Sequence, residues 1–277
     1  MIQKAAINHG HEASIYTNDE VISFLNETPS LLAEQITKLP HYVVFTDKDI
    51  YLAKQLELLG IPVFNSADTI EISDDKIKTY QYLAKRNIAI PKTIIAPKTF
   101  GCHLDTEKKF LKQVTEQLAF PFIIKEAFGS FGEQVYLIQN ELEMKKQLKA
   151  ITDQPFMFQE FIQTSYGKDV RIQVVGSEVI TAMLRTSNGD FRANVTTGGK
   201  MQTYEPSKQE KKIAIQATKA IGADFAGVDL LFGKDETPIV CEVNSNAHIR
   251  NLLECTGINV ADFIISYIEK RLKEGII

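Results

Sequence analysis

At 277 residues, with 44% hydrophobic and 24% charged residues, the chain has the make-up of an ordinary soluble globular protein of about two domains. A net charge of −4 and a pI near 5.8 leave no broad cationic surface, which argues against nucleic acid or an anionic membrane as partner. Three widely spaced cysteines without a CxxC pair, Cys102, Cys241 and Cys255, argue against a disulfide framework or zinc cluster. The absence of a long apolar run or signal-peptide block makes a reducing cytoplasm the expected compartment.

Residues 1–74 alternate helical and strand signals. A helix over "MIQKAAINHGH" is followed by a strand at "EASIYT", a helix through "SLLAEQITKL", a strand at "YVVFT", a helix through "IYLAKQLELLG" and a strand at "IPVFN". This is the pattern of a small open α/β unit with a parallel sheet, except that a leading strand before the first helix is missing. Residues 75–155 open on a helix with apolar positions at Ile77, Tyr80, Leu83 and Ala84, and "IAIPKTIIA" follows, where Pro91 blocks helix continuation. Two strands in "FPFIIKEAFGSFGEQVYLI" flank a loop containing Gly129, Ser130 and Gly132, before a helix over 141–150. A hinge near residues 153–155 leads to the third segment, 156–277, which begins at "PFMFQEFIQ". There "DVRIQVVGSEVITAMLRT" reads as a hairpin turned at Gly176 and Ser177, Ser207 with Glu210 as a capping box, and the last stretch as an amphipathic helix.

The densest chemistry lies in the third segment. "FAGVDLLF" and "PIVCEVNSN", separated by "GKDET", read as a hairpin; pairing Phe232 with Ile239 sets Asp229 opposite Glu242, with Asn244 two residues on along the same face. Bare carboxylates with Cβ atoms about 5 Å apart repel by on the order of 3 kcal/mol at an effective dielectric near 20, a cost that a cation removes. Oxygen-only ligands favour Mg²⁺ or Mn²⁺; the alternative is a solvated hairpin whose acids face water. Cys241 alternates with Glu242 and reads as a small core residue.

Lys125 ends an apolar strand just before the glycine-bearing loop, where an ammonium and loop amides could hold one anion. That loop is neither a Walker A loop nor a dinucleotide fingerprint, and alone it is an ordinary hairpin turn. Lys76 begins a helix. Lys168, Asp169, Arg171, Arg185, Asp190, Arg192 and Asn194 cluster downstream, with Arg171 and Arg185 on adjacent strands able to face a common cavity.

In this order, the lysine before a helix, the lysine before a glycine loop, "QEF", "GKDVRIQVVG", "GDFRANVTTGG", "AGVDLL" and "CEVNSN" resemble the ATP-grasp ligases. Among these the similarity is to RimK-like carboxylate-amine (alpha-L-glutamate) ligases, from about Leu58 onward. The resemblance implies an ATP-grasp fold, with two α+β lobes clasping ATP behind a small pre-ATP-grasp domain. It implies that Lys76, Lys125, Gly129, Ser130 and Gly132 meet the phosphates, Glu160 and Phe161 hold adenine, and Asp169 binds ribose. Arg192 and Asn194 would reach the phosphoryl region, Arg171 and Arg185 the carboxylate substrate, and Asp229, Glu242 and Asn244 about two Mg²⁺ or Mn²⁺ ions. The implied reaction is ATP-dependent ligation of a small-molecule acid to an amine, glutamate among the candidates, by a homo-oligomer. Relatives that modify protein tails carry Pro-Gly after the metal asparagine and a basic residue where Thr197 stands. Here "NSNAHIRN" sets His248 and Arg250 beside the reaction centre, with His248 a general base, a substrate contact or a plain loop histidine. A nucleotide-binding scaffold without turnover and an ATP-grasp carboxylase are the rival readings.

Overall fold

The structure is a computed structural model that describes residues 1–33, 36, 38–98, 109–130, 132–151, 154–193 and 199–275. The N-terminal unit contains α1 (Ile2–Asn8), β1 (Ile22–Leu25), β2 (Pro29–Leu32), β3 (Val43–Val44), α2 (Ile50–Leu58), β4 (Val63–Phe64) and α3 (Ala67–Asp74). β3 and β4 pair in parallel, as the α/β pattern requires, but each is only two residues long. The helix expected through residues 30–39 does not form at its start: Pro29–Leu32 pairs antiparallel with β1. Buried Gln55 of α2 explains the change, donating to Phe24 O at 3.2 Å and Ser30 O at 2.8 Å while Leu31 packs on the α2 core. Such tertiary bonds outweigh the helix propensity of a short segment. "EASIYT" also forms no strand; Ile15 is 70% exposed. Ala5 and Ala6 of α1 pack on Ala261 and Ile265 of the last helix.

The middle of the chain builds an antiparallel sheet of β5 (Thr93–Ile95), β6 (Phe122–Glu126), β7 (Val135–Ile138) and β8 (Phe156–Glu160), ordered β5-β8-β6-β7. Phe122, Ile124, Phe156 and Phe158 face α5 (Lys109–Gln117) and α6 (Glu141–Ala150) through Leu111, Val114, Met144 and Leu148. The alternating residues Ile123, Lys125 and Gln159 therefore face the opposite way. Phe156–Glu160, expected to open the third segment, is instead a central strand here, pairing with both β5 and β6. The chain leaves this sheet only after Glu160. Its apolar alternation suits a strand covered by helices on one face, which a reading of segment boundaries alone does not reveal.

The third unit is an antiparallel sheet of order β11-β10-β9-β12-β13, from β9 (Lys168–Val175), β10 (Glu178–Thr186), β11 (Lys200–Thr203), β12 (Phe225–Phe232) and β13 (Pro238–Asn244). Its even positions on β9 and β12, Val170, Ile172, Val174, Ala226, Val228 and Leu230, pack on α7 (Lys208–Ala220) and on Leu83 of α4 (Lys76–Lys85). Ser207 and Glu210 close the expected capping box of α7. The opposite face divides. One end lies beneath α8 (Ile249–Thr256) and α9 (Val260–Glu274) through Phe225, Leu252, Val260 and Ile264, and the other end is polar. No helix among the described residues is long and apolar enough to cross a membrane.

Candidate active site

The polar end of the five-stranded sheet and the Lys125 face of the four-stranded sheet enclose a cavity of about 250 Å³. One rung of the larger sheet crosses four strands as Met183, Arg171, Asp229 and Glu242, and all four side chains line the cavity. The Asp229–Glu242 pairing is the one the sequence implies, but it arises differently. Pro238, not Ile239, pairs with Phe232, because all five residues "GKDET" lie in the loop and a proline without an N–H is tolerated at a strand's first position. A β-bulge between Asp229 and Leu230 then absorbs Cys241 as an extra residue and restores the Asp229–Glu242 register. The bulge also corrects the expectation for Cys241. With Val240 and Val243 both in the core, Cys241 and Glu242 both line the cavity, and burial pushes the Cys241 thiol up to about 11, so it carries little thiolate.

The acids and guanidiniums interlock. Arg171 Nε and Nη2 donate to Asp229 Oδ1 and Oδ2, each at 2.7 Å, and Arg185 Nη2 adds a third contact to Oδ2 at 2.9 Å. Arg185 Nε and Nη2 also clasp Asp169 at 2.6 and 2.8 Å. Burial alone would raise the Asp229 carboxyl, but Arg171 and Arg185 outweigh it and hold the group at about 2. For Asp169, burial and the like charge of Asp229 push upward, so it is the first of the two to protonate as pH falls. Arg171 and Arg185 both line the one cavity, each paired with an acid. Asp169 lines the cavity with both oxygens on Arg185, which orients the arginine and leaves the carboxylate further acceptor sites.

Two more features bear on a cation. Glu242 has no hydrogen bond or ion pair among the described residues, and Asn244 Nδ2 is buried without a partner. A carboxylate has about four acceptor sites; three N–H bonds fill three on Asp229 and leave one on Oδ1. An unbonded Glu242 carboxylate beside an Asp229 oxygen with one open site fits a hard divalent ion, and the Asn244 amide, whose nitrogen has no partner to hold it, is free to turn its oxygen to the same ion. Among the described residues no group of three His, Cys, Asp or Glu side chains converges, and this set has only two such acids.

The opposite wall is basic. Asp75 caps α4 by accepting from Ile77 N and Lys78 N, which fixes Lys76 at the first helical position, and its Nζ donates to Gly129 O at 2.7 Å. Burial lowers the Lys76 ammonium. Lys125 Nζ lies 5.5 Å from the Tyr80 ring centroid; burial would lower it, but Tyr80, Cys241 and Glu242 outweigh that and raise it. Arg192, held by Asp190, donates from Nη1 to Gly132 O at 2.7 Å, and Lys48 reaches Ser130 Oγ at 3.2 Å. The glycine loop is thus drawn down by three cations. Gly129, at φ +121°, adopts a backbone that other residues rarely take.

At the far end Glu160 and Phe161 line the cavity where β8 ends, with Phe191 and Tyr166 each meeting Phe161 edge-on at 6.2 Å. His248 lies at the mouth as the residue before α8, while Arg250 is exposed on that helix and does not line the cavity. Asn194 and Thr197 lie outside the described residues. Not anticipated from the sequence were Met183 in the rung and Asn246, whose Nδ2 donates to Asp47 O and so brings the N-terminal unit to the cavity rim. The "VNSN" run held the only signal for Asn246.

Comparison with known proteins agrees with this architecture. A family model described as the RimK-like ATP-grasp domain matches residues 73–268. An uncharacterized Mycoplasma pneumoniae protein is 36% identical over 219 residues, covering 77% of this chain and 76% of that one. A probable alpha-L-glutamate ligase of Syntrophotalea carbinolica is 30% identical over 288 residues, covering 99% and 92%. The solved structure of the ATP-grasp ligase PsnB, complexed with a phosphomimetic variant of a minimal precursor, Mg and ADP, superimposes with a TM-score of 0.70 at 17% identity, covering 98% and 93%.

Proposed function

This chain belongs to the RimK-like ATP-grasp family of ATP-dependent carboxylate–amine ligases, and from that premise we propose that it joins a small-molecule acid to an amino acid such as glutamate. The observation that carries the reading is the Arg171–Asp229–Glu242 rung facing Lys76, Lys125 and Arg192 across one cavity. An acidic, oxygen-donor wall opposite a cationic wall suits a triphosphate between them.

In this reading the substrate carboxylate attacks the γ-phosphorus of ATP, giving ADP and an acyl phosphate, and the amine then displaces phosphate. Lys76, Lys125 and Arg192 balance the phosphoryl charge, and Phe161 with Glu160 seats the base where β8 ends. The Gly129–Gly132 loop keeps water from the acyl phosphate. Glu242, Asn244 and the open site on Asp229 would hold the divalent ions, two in our reading. Such ions, when bound, neutralise phosphate oxygens, and the Mg and ADP of PsnB support that choice. Arg171 and Arg185 keep Asp229 ionised and aimed, and His248 stands where the amine enters. Two exposed apolar residues of the β1–β2 hairpin, Leu25 and Leu32, support a homo-oligomer, and we place the reaction in the cytoplasm.

The test is Glu242→Ala. Because Glu242 makes no hydrogen bond or ion pair with a described side chain, its loss should leave the chain folded, with a cooperative thermal transition, while abolishing acid-dependent ADP release. Products from arrays of acids and amines are identified by mass spectrometry. Full turnover by the variant overturns the assignment.

A further inference from the structure

β13 is an outer strand of its sheet, so one side of its backbone has no neighbouring strand. Groups from the preceding units meet that side in succession. Val240 N donates to Ala89 O at 2.9 Å, and the Tyr80 hydroxyl donates to Cys241 O at 2.6 Å. The Ser73 hydroxyl donates to Val243 O and accepts from Ser245 N, both at 2.9 Å, and Asn65 Nδ2 donates to Ser245 O at 3.0 Å. Asn65, fully buried, also donates to Phe225 O at 2.9 Å and accepts from Asp224 N at 2.7 Å, tying the start of β12 to the end of β13.

The bonded positions are residues 240, 241, 243 and 245, and the last three bracket Glu242 and Asn244 on both sides. The Tyr80 bond falls on the bulged residue itself, and that bulge turns Glu242 into the cavity. An edge strand held only for solubility would be capped by charge or covered by apolar side chains. Here hydroxyl and amide groups fix the backbone at the two candidate ligands. We propose that Asn65, Ser73 and Tyr80 are positioning residues that set Glu242 and Asn244 in the orientation that accepts a divalent cation. The inference rests on the cation reading above and adds that the site is assembled by residues 65–80, outside the sheet that carries it.

The test measures Mn²⁺ binding by paramagnetic resonance in the presence of a non-hydrolysable ATP analogue, for Ser73→Ala, Tyr80→Phe and Ser73→Thr. Affinity for the analogue without metal and the thermal midpoint are followed in parallel. Loss of a group that orients a ligand weakens metal binding by about 10–100-fold. That loss is expected for Ser73→Ala and Tyr80→Phe, with recovery in Ser73→Thr and unchanged metal-free analogue binding. If Ser73→Ala fails to fold, Ser73→Cys, which keeps the volume but weakens both bonds, takes its place. Wild-type Mn²⁺ affinity in both variants beside a defective Glu242→Gln control overturns the clamp alone, as does an equal loss of metal-free analogue binding. A Glu242→Gln control that binds Mn²⁺ normally overturns the cation reading and the clamp with it.

Discussion

Replacing Arg171 with methionine removes two of the three N–H bonds on Asp229 and leaves only the Arg185 contact at 2.9 Å. Asp229 is 3% exposed, so bulk solvent does little to replace them. The clasp holds Asp229 at about 2 against an ordinary 3.8. At 1.36 kcal/mol per pH unit that gap is worth on the order of 2 kcal/mol net of burial. Stranding one member of a buried pair costs about 3–5 kcal/mol, so the variant should melt about 6–10 °C lower at neutral pH, at roughly 2 °C per kcal/mol for a chain of this size. The pH dependence follows. A depressed carboxyl contributes stability above its unfolded value of 3.8 and loses it as pH falls through about 2, so the penalty of losing Arg171 shrinks between pH 7 and about pH 3. Arg171→Met/Asp229→Leu removes the stranded charge and should recover part of the loss. Differential scanning calorimetry at both pH values decides the matter. A midpoint within 2 °C of wild type for the single variant, or a double variant less stable than the single, would refute the clasp as a net electrostatic support.

Two further outcomes follow from the geometry. A Cβ at Gly227 would lie 2.5 Å from Ala247 Cβ, and both are anchored to backbone, so Gly227→Ala should displace the segment before α8 at a cost of about 1–3 kcal/mol. That is seen as a raised KM for the amine and a lower melting point, and wild-type kinetics would show that the segment yields freely. Cys241, pushed up to about 11 from 9.0, should react with iodoacetamide at pH 8 about 100-fold more slowly than an unperturbed thiol, as measured by peptide mapping. Labelling at the unperturbed rate would contradict its buried, neutral state.

The site was legible where chemistry and alternation coincide. Asp229 and Glu242 announce themselves as acids at matching positions on two apolar runs, and their pairing survives although the loop-end register differs, because the bulge compensates. A bulge leaves no composition signal here, which is why Cys241 reads as core. The commitment of Arg171 and Arg185 to Asp229 and Asp169 is equally hidden. Which cation meets which acid depends on the pairing of β9 with β10 and β12, not on spacing along one strand. In the N-terminal unit the apolar "SLLAEQ" has no turn signal strong enough to outweigh helix-like composition, and only the Gln55 bonds across 25 and 31 residues decide for a hairpin. Phe156–Glu160 shows the same limit: its strand character is plain, but its sheet is set by partners far away in the chain.

The bonds from Lys76 to Gly129 O and from Arg192 to Gly132 O bear on which anions gain entry. Chloride, or a stray monocarboxylic acid, finds both cations already engaged by peptide oxygens and has too little charge to displace them. In the proposed reading a polyphosphate does better, since it brings several ionised oxygens to both cations at once, each bonding about twice as strongly as a neutral acceptor. When the phosphates depart, the carbonyls are at hand to reclaim both side chains, so the same pair of contacts that screens entrants also assists discharge.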